Sequence, residues 1–487
     1  MPIQTWNSRS GNRKYFRCHC IAQILWYNTP YMTDEQRKTQ KEGDILPTKN
    51  SSFQRPKGVH DILPDTHEYF TFIKKVVRHR ARQSGFRRIS TPIFEFTDVF
   101  RRSIGDETDI VSKEMYTFQD RKGRSLTLKP EGTAGVVRAY IENNMNTLPQ
   151  PVELYYIEPH FRYDRPQKGR FRQFWQYGLE IIGESDPALD AQLIQLARKI
   201  TEDLGVADLF SLQINSIGCS TPTCRPRCME DLKNYYFGKE RSLCEDCKVR
   251  ATKNPLRLLD CKLEDCRILA SLAPKLKDYL CPECKKFHAE LLDFLKELKI
   301  EYKENPSLVR GLDYYTKTVF EFWDKETGAQ NAIGGGGRYD GLVEIMGGQP
   351  TPAVGFAAGI ERIIDNMKRE QVKVPKKDDL HVFVAQLGYE AKKKCLTLIT
   401  KLREAGIKTM GALGKDSIKA QLRHADRFCV PYTIIIGITE VRDGTAIIRD
   451  MRRGNQKIAK YSAVVDEIKT LLGEDALDTY SPSEVVY

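Results

Sequence analysis

From Phe53 onward, apolar and polar positions alternate with recognisable periods. Phe70, Ile73, Val76 and Val77 recur at helical spacing, which predicts a helix from about Thr66 to Gln83, with Asp65 able to cap its start and Gly85 ending it. An extended segment, Arg87–Phe96, follows and is broken by Pro92. Segments 115–120 and 124–129 read as a hairpin across Asp120–Gly123, and Thr133–Asn143 as a helix. Two long strands, Tyr155–Tyr163 and Phe171–Gly183, are joined by a basic polar loop, and a helix over Asp190–Leu204 ends at Gly205. Residues 219–288 are charged, cysteine-rich and helical in pieces. Leu308–Trp323 returns to β-rich sequence, and Val354–Met367 is a strand feeding a helix.

The pattern changes after a linker-like Pro375–Asp379. Strand 380–386, helix 390–405, a strand near 407–410, helix 415–428, strand 432–437, a hairpin over 439–450 and helix 462–472 alternate as in a separate α/β domain of ~100 residues. These elements predict an α+β chain with terminal segments 1–52 and 474–487 outside the folded parts. Residues 1–31 carry Arg9, Arg13, Lys14 and Arg17 but no acid, which fits an unstructured leader better than a transit peptide, and Met32 is a candidate start.

Composition narrows the class. Of the 487 residues, 40% are hydrophobic and 29% charged, which excludes wholesale disorder. No apolar run approaches the ~18 residues of a membrane span. No secretory signal pattern is present, so the expected location is the cytoplasm. The net charge is +12, and residues 376–473, with 19 basic and 11 acidic side chains, hold +8 of it. A polyanionic partner for that domain follows, although charge of this size also serves solubility.

Candidate chemistry lies where charged residues interrupt apolar or glycine-rich sequence. Arg162 ends a strand, and its planar fork of donors suits phosphate oxygens; a salt-bridged hairpin arginine is the plainer reading. Arg310 sits in Leu308-Val-Arg-Gly-Leu-Asp-Tyr-Tyr315, and Arg362 ends Gly355-Phe-Ala-Ala-Gly-Ile-Glu-Arg362. Glu131 precedes a helix that Thr133 could cap, and Glu180 lies inside an apolar strand, where a buried carboxylate requires a partner. The run Ile333–Gly341 holds four consecutive glycines. It matches neither a dinucleotide fingerprint nor a P-loop, and by itself reads as a loop.

Together and in this order, these segments resemble the histidyl-tRNA synthetases, a branch of the class II aminoacyl-tRNA synthetases. Arg87–Glu95 with its preceding helix is similar to class motif 1, Tyr155–Gly183 to motif 2 and Val354–Ile364 to motif 3. Leu308–Thr316 and Gly335–Gly341 resemble the two histidine-enzyme signatures. The resemblance covers roughly residues 53–473. It implies an antiparallel sheet with flanking helices (catalytic segments 53–218 and 306–372), interrupted by a cysteine-rich insertion at 219–305 and followed by an α/β anticodon-binding domain at 376–473. It implies activation of L-histidine by ATP and Mg²⁺, transfer to tRNA(His), and a homodimer. Arg162 and Arg310 would then act on the α-phosphate as catalytic groups, with Arg170 and Arg362 on the other ATP phosphates. Glu131, Thr133 and Gln176 would hold the α-amino group, Glu180 and Tyr315 the imidazole nitrogens with Tyr314 beside them, and Tyr339 would close the pocket. Gln167 and Lys168 would approach the tRNA acceptor end. The alternative in the same family is a non-catalytic paralogue serving as regulatory subunit of ATP phosphoribosyltransferase.

The cysteines depart from the family's common pattern. Cys244-Glu-Asp-Cys247 and Cys281-Pro-Glu-Cys284 are two C-x-x-C pairs, predicting one structural Cys₄ zinc site. Cys219, Cys224, Cys261 and Cys266 supply a second site or replace one pair; packed, reduced thiols and an iron–sulfur cluster are the other readings.

Overall fold

The computed structural model describes residues 53–473 and 477, apart from 106–107, 165–168, 262, 329–331, 376–379, 412 and 415–416. Residues 57–487 form the larger of two compact units, and the following concerns that unit.

Its main sheet has eight strands. In chain order these are β1 (Arg87–Arg88), β5 (Val152–Phe161), β6 (Gln173–Ile182), β7 (Phe210–Ser216), β8 (Tyr302–Glu304), β9 (Thr316–Asp324), β10 (Gly334–Arg338) and β11 (Ala353–Gly359). Between β1 and β5 come β2 (Phe94–Phe96), β3 (Tyr116–Gln119) and β4 (Ser125–Leu128), a small separate antiparallel sheet in the order β2-β4-β3. The order in the large sheet is β1-β5-β6-β11-β10-β9-β7-β8. The six inner strands pair antiparallel, while β1 on β5 and β8 on β7 are parallel edges.

The helix Pro64–Gln83 buries Phe70, Ile73, Val77 and Ala81 against the sheet. It starts one residue before Asp65, at Pro64, and no side chain caps it, so Asp65 is a first-turn acid rather than the cap. The helix Pro187–Asp203 is capped by Asp186, whose carboxylate accepts from Ala188 N at 2.8 Å.

The four-glycine run is not a loop. Gly334–Arg338 is β10, an interior strand between β9 and β11. A Cβ at Gly334 would lie 2.6 Å from Ala357 O, and one at Gly336 or Gly337 would overlap neighbouring backbone. The strand is held by ladder hydrogen bonds on both sides, and its glycines are demanded by close approach. Its last residue, Arg338, is fully buried and bonded to Asp190, Asp340 and the carbonyls of Glu184 and Asp186.

A second sheet follows, in the order β13-β12-β14-β15-β16: β12 (Val382–Gln386), β13 (Thr409–Gly411), β14 (Tyr432–Ile436), β15 (Thr445–Asp450) and β16 (Gln456–Lys460). β12 pairs parallel with β13 and β14. The expected hairpin over 439–450 is instead a helix, Ile438–Asp443, leading into β15, which pairs with β16. Glu440 accepts from Gly437 N at 2.8 Å, and Gly444 at φ +64° terminates the turn. No described helix is long and apolar enough to cross a membrane.

Candidate active site and metal centres

Against strands β6, β9, β10 and β11 of the large sheet lies a cleft of about 600 Å³. Arg162, Arg170, Arg310 and Arg362 all line it, as does Gln176 on β6. Each guanidinium has a protein partner. Arg162 donates from Nε to Pro130 O at 2.9 Å and lies 5.5 Å from the Phe174 ring centre. Arg170 pairs with Asp164 at 2.9 Å. Arg362 donates from Nε to Gly169 O at 3.1 Å and from Nη1 to Ala332 O at 2.5 Å. Arg310 pairs with Glu321, which also accepts from Trp323 Nε1 at 2.6 Å.

Crowding of like charge is visible in the proton affinities. Burial lowers the Arg362 pKa, and Arg170 and Arg162 lower it further. Burial likewise lowers that of Arg162, against the opposing fields of Glu114 and Glu131. At Arg310 burial is again the largest single effect and pulls the same way, but Glu321, Tyr315 and Tyr314 together outweigh it and the pKa rises. Arg162, Arg170 and Arg362 thus form a local cluster that attracts anions, within a lining that also carries Asp and Glu side chains.

Glu131, Thr133, Glu180, Tyr314, Tyr315 and Tyr339 do not line this cleft. They form a buried cluster in which no residue is more than 7% exposed. Thr133 Oγ1 donates to Glu180 Oε1 at 2.8 Å, and Tyr339 Oη donates to Glu180 Oε2 at 2.7 Å. Thr133 is therefore not the helix cap. That role falls to Glu131, which accepts from the Thr133 and Ala134 backbone N–H groups at 2.8 Å each, with Tyr314 Oη at 3.4 Å. Burial raises the Glu180 pKa to about 8, against the bonds from Tyr339 and Thr133. It raises that of Glu131 as well, against the Ala134 and Thr133 N–H groups. The cluster meets the cleft through Arg310, whose guanidinium lies 5.6 Å from the Tyr315 ring centre.

Two supports escaped sequence reasoning. Tyr156, on β5, passes between Gly132 and Gly178, where a Cβ at either would overlap its ring. Burial raises its pKa well above the usual tyrosine value, and Glu180 and Glu131 add to the rise. Beneath the Pro130–Glu131 turn, Lys129 and Glu158 form a buried ion pair in which Thr91 bonds both partners. The sequence signal was polar Tyr156 and Glu158 at inward-facing positions of β5. Gln167 and Lys168, singled out for tRNA, lie outside the described residues.

The expected zinc quartet does not assemble. Cys244 and Cys247 join Cys261 and Cys266, whereas Cys281 and Cys284 join Cys219 and Cys224. Within each group all four sulfurs lie within 4.8 Å of one another. The two C-x-x-C turns head different helices, Glu245–Lys253 and Pro282–Glu297, and each finds a different partner pair.

An antiparallel sheet carrying an arginine-lined cleft, with a buried polar pocket beside it and an α/β unit after it, is the architecture of a class II aminoacyl-tRNA synthetase. The family model described as histidyl-tRNA synthetase matches residues 58–363, and that described as anticodon binding domain matches residues 381–471. A histidine–tRNA ligase of Dehalococcoides mccartyi is 48% identical over 417 residues, covering 86% of this chain and 99% of its own length. One from Halothermothrix orenii is 46% identical over 418 residues, covering 86% and 99%. The crystal structure of apo S. aureus histidyl-tRNA synthetase superposes with a TM-score of 0.71 at 34% identity, covering 86% of this chain and all of that one. The chain belongs to the histidyl-tRNA synthetase family.

Proposed function

We propose that this chain is a ligase that activates L-histidine with ATP, forming histidyl-adenylate and pyrophosphate, and then transfers histidine to the 3′ end of tRNA(His). The observation that carries this is the convergence of Arg162, Arg170, Arg310 and Arg362 on one cleft beside the Glu180 cluster. Attack of the histidine carboxylate on the α-phosphorus needs in-line positioning and neutralisation of phosphate charge more than a covalent catalyst. Arg162 and Arg310 would hold the α-phosphate and the carboxylate, with Arg170 and Arg362 on the departing pyrophosphate. Mg²⁺ takes oxygen ligands and would share the ATP phosphates with Glu321 and Glu361, two of the several carboxylates that line the cleft. When bound it neutralises phosphate charge.

Specificity would come from exchange of hydrogen bonds. One imidazole nitrogen would replace a Tyr339 or Thr133 contact to Glu180 or add to them, with Tyr315 at the other nitrogen and Tyr314 alongside. Glu131, Thr133 and Gln176 would hold the α-amino group. A side chain without the two nitrogens would leave buried polar atoms unpaired, which is heavily penalised.

The basic region 376–473 would bind tRNA, with Gln167 and Lys168 toward the acceptor end. We also propose a cytoplasmic homodimer. Phe94, Phe96 and Phe118 on the small sheet and Ile93 just before it are each 44–51% exposed, an apolar surface suited to a second copy. The boundaries proposed above, with the insertion at 219–305 carrying structural zinc, complete the assignment.

The test is histidine-dependent exchange of labelled pyrophosphate into ATP by the purified full chain. Exchange specific to histidine is expected; its absence, with ATP phosphoribosyltransferase stimulated instead, would favour the regulatory-subunit alternative. Against that alternative stand the complete arginine set and the matched anticodon-binding domain.

A further inference from the structure

The geometry points to two separate tetrathiolate zinc sites in the insertion, nested in sequence: an outer one at Cys219, Cys224, Cys281 and Cys284, and an inner one at Cys244, Cys247, Cys261 and Cys266, which positions a wall of the active-site cleft. The inference rests on the zinc proposal above and adds the ligand sets, the stoichiometry and the role of each site.

The eight cysteines follow one scheme. The first and third pairs, 219/224 and 261/266, are C-x₄-C; the second and fourth, 244/247 and 281/284, are C-x₂-C. Each site combines one pair of each kind. Cys244 and Cys281 take the same backbone conformation, at φ −66° ψ 163° and φ −65° ψ 163°, each immediately before a helix. The second cysteine of each turn is thereby set in the first helical turn.

The sulfur spacing fits a metal and not a disulfide. Zinc–sulfur bonds of about 2.3 Å in a tetrahedron set the sulfurs ~3.8 Å apart, whereas disulfide sulfurs lie at about 2.05 Å. Cys219 Sγ and Cys281 Sγ are 3.8 Å apart, Cys244 Sγ and Cys261 Sγ 4.0 Å, and all eight thiols are free. Backbone N–H groups also turn toward the sulfurs: Cys219 N and Cys281 N toward Cys224 Sγ at 3.4 and 3.5 Å, and Cys244 N toward Cys266 Sγ at 3.3 Å. Such donors stabilise metal-bound thiolate and orient it. Packing alone accounts for buried thiols but not for two sets of four converging with the same combination of turns.

The sites meet different surroundings. The outer site closes the insertion where it leaves and rejoins the sheet. Arg225, next to Cys224, donates to Tyr315 O at 2.5 Å, and Lys317 N donates to Gly218 O at 2.8 Å. The inner site lies at the cleft itself, which Cys244 and Cys261 line. Between its two pairs, Arg250 and Arg257 both bind Asp109, at 2.7 and 3.3 Å, and Arg257 donates to Gly311 O at 3.0 Å, one residue from Arg310. Inner-site zinc is a positioning element for Arg310; it touches no substrate.

The test measures zinc per chain and histidine-dependent pyrophosphate exchange on one sample of full-length protein, purified under reducing, chelator-free conditions. Two zinc ions are expected; one, none, or iron with sulfide overturns the inference. Exchange on that sample judges the synthetase assignment independently. In the native protein, titration with a mercurial thiol reagent in the presence of a zinc dye requires no folded variant. Five of the thirteen thiols are not ligands and should titrate without zinc release; the other eight should release one zinc per four, and release of both zinc ions in a single four-thiol step overturns two independent sites. Cys266→Ser and Cys284→Ser should each retain one zinc. Cys266→Ser should raise the ATP KM or lower kcat by about 10-fold or more while leaving the outer zinc bound. A fully active Cys266→Ser protein lacking inner zinc overturns the positioning role.

Discussion

Replacing Arg310 by alanine probes the proposed chemistry at its most exposed assumption. The side chain pairs with Glu321 through Nη1, and its Nε has no hydrogen-bond partner among the described residues, so donor capacity remains for a substrate oxygen. Loss of one preorganised donor to developing charge typically costs about 2.7–4 kcal/mol, or ~10²–10³ in rate. A second effect adds to it. Freed Glu321 keeps its bond from Trp323 but loses its counter-charge. A carboxylate about 4 Å from phosphate charge would be repelled by up to ~4 kcal/mol at an effective dielectric near 20, before Mg²⁺ screens it. Arg310→Lys separates the two contributions, because it keeps the charge and loses the fork. It should cost about 1.5–3 kcal/mol, the worth of one charge-assisted hydrogen bond. Pyrophosphate exchange should therefore fall in the order wild type, lysine, alanine, with kcat reduced more than either KM. Melting curves would establish that all three proteins fold. Wild-type exchange by Arg310→Ala, or equal losses in the two variants, would refute the charge argument.

Two further perturbations test the pocket. Gly355→Ala places a Cβ where the Glu180 carboxylate lies; overpacking of about 1–3 kcal/mol should raise the histidine KM roughly 5- to 150-fold and leave the ATP KM unchanged, and an unaltered histidine KM would contradict the assignment of Glu180. The Glu180 carboxyl, at about 8 in the fold against an ordinary 4.5, is protonated in the folded state over a range where the unfolded chain has released its proton. Its contribution to stability is thus complete below pH ~4.5 and is lost as pH rises toward 8. Glu180→Gln should therefore gain melting temperature relative to wild type between pH 5 and 9, and a difference independent of pH would rule out a buried titrating carboxyl there.

What the sequence disclosed followed from periodicity. Apolar spacing located the helix Pro64–Gln83, the strand pair β5–β6 and most of the alternating C-terminal elements, because burial of one face is written directly into residue order. The glycine strand β10 was illegible for the same reason: with no side chains it has no apolar face, and its place depends on backbone from β9 and β11 that lies close only after folding. The helix at 438–443 did carry a signal, Glu440 three residues after Gly437 and Gly444 at the end, but the strand-like Thr445–Asp450 directly after it suits one arm of a hairpin.

The site shows the same division between local and long-range information. The arginines and carboxylates stood out because a charge in apolar or glycine-rich sequence must be explained by a partner. Which partner was hidden: Thr133 looked like a cap and bonds Glu180 47 residues away, while Glu131, two residues earlier, does the capping. The cysteines make the point most sharply. A C-x-x-C turn declares that two sulfurs will sit together, since four residues settle that geometry. Which second pair completes the tetrahedron is decided by the path of the intervening helices, so two C-x-x-C pairs that looked like one site are split between two. Pairing by like motif would have joined turns that each begin a helix; the fold instead gives every such turn a C-x₄-C partner, leaving one quartet at the root of the insertion and the other against the cleft, beside the loop that carries Arg310.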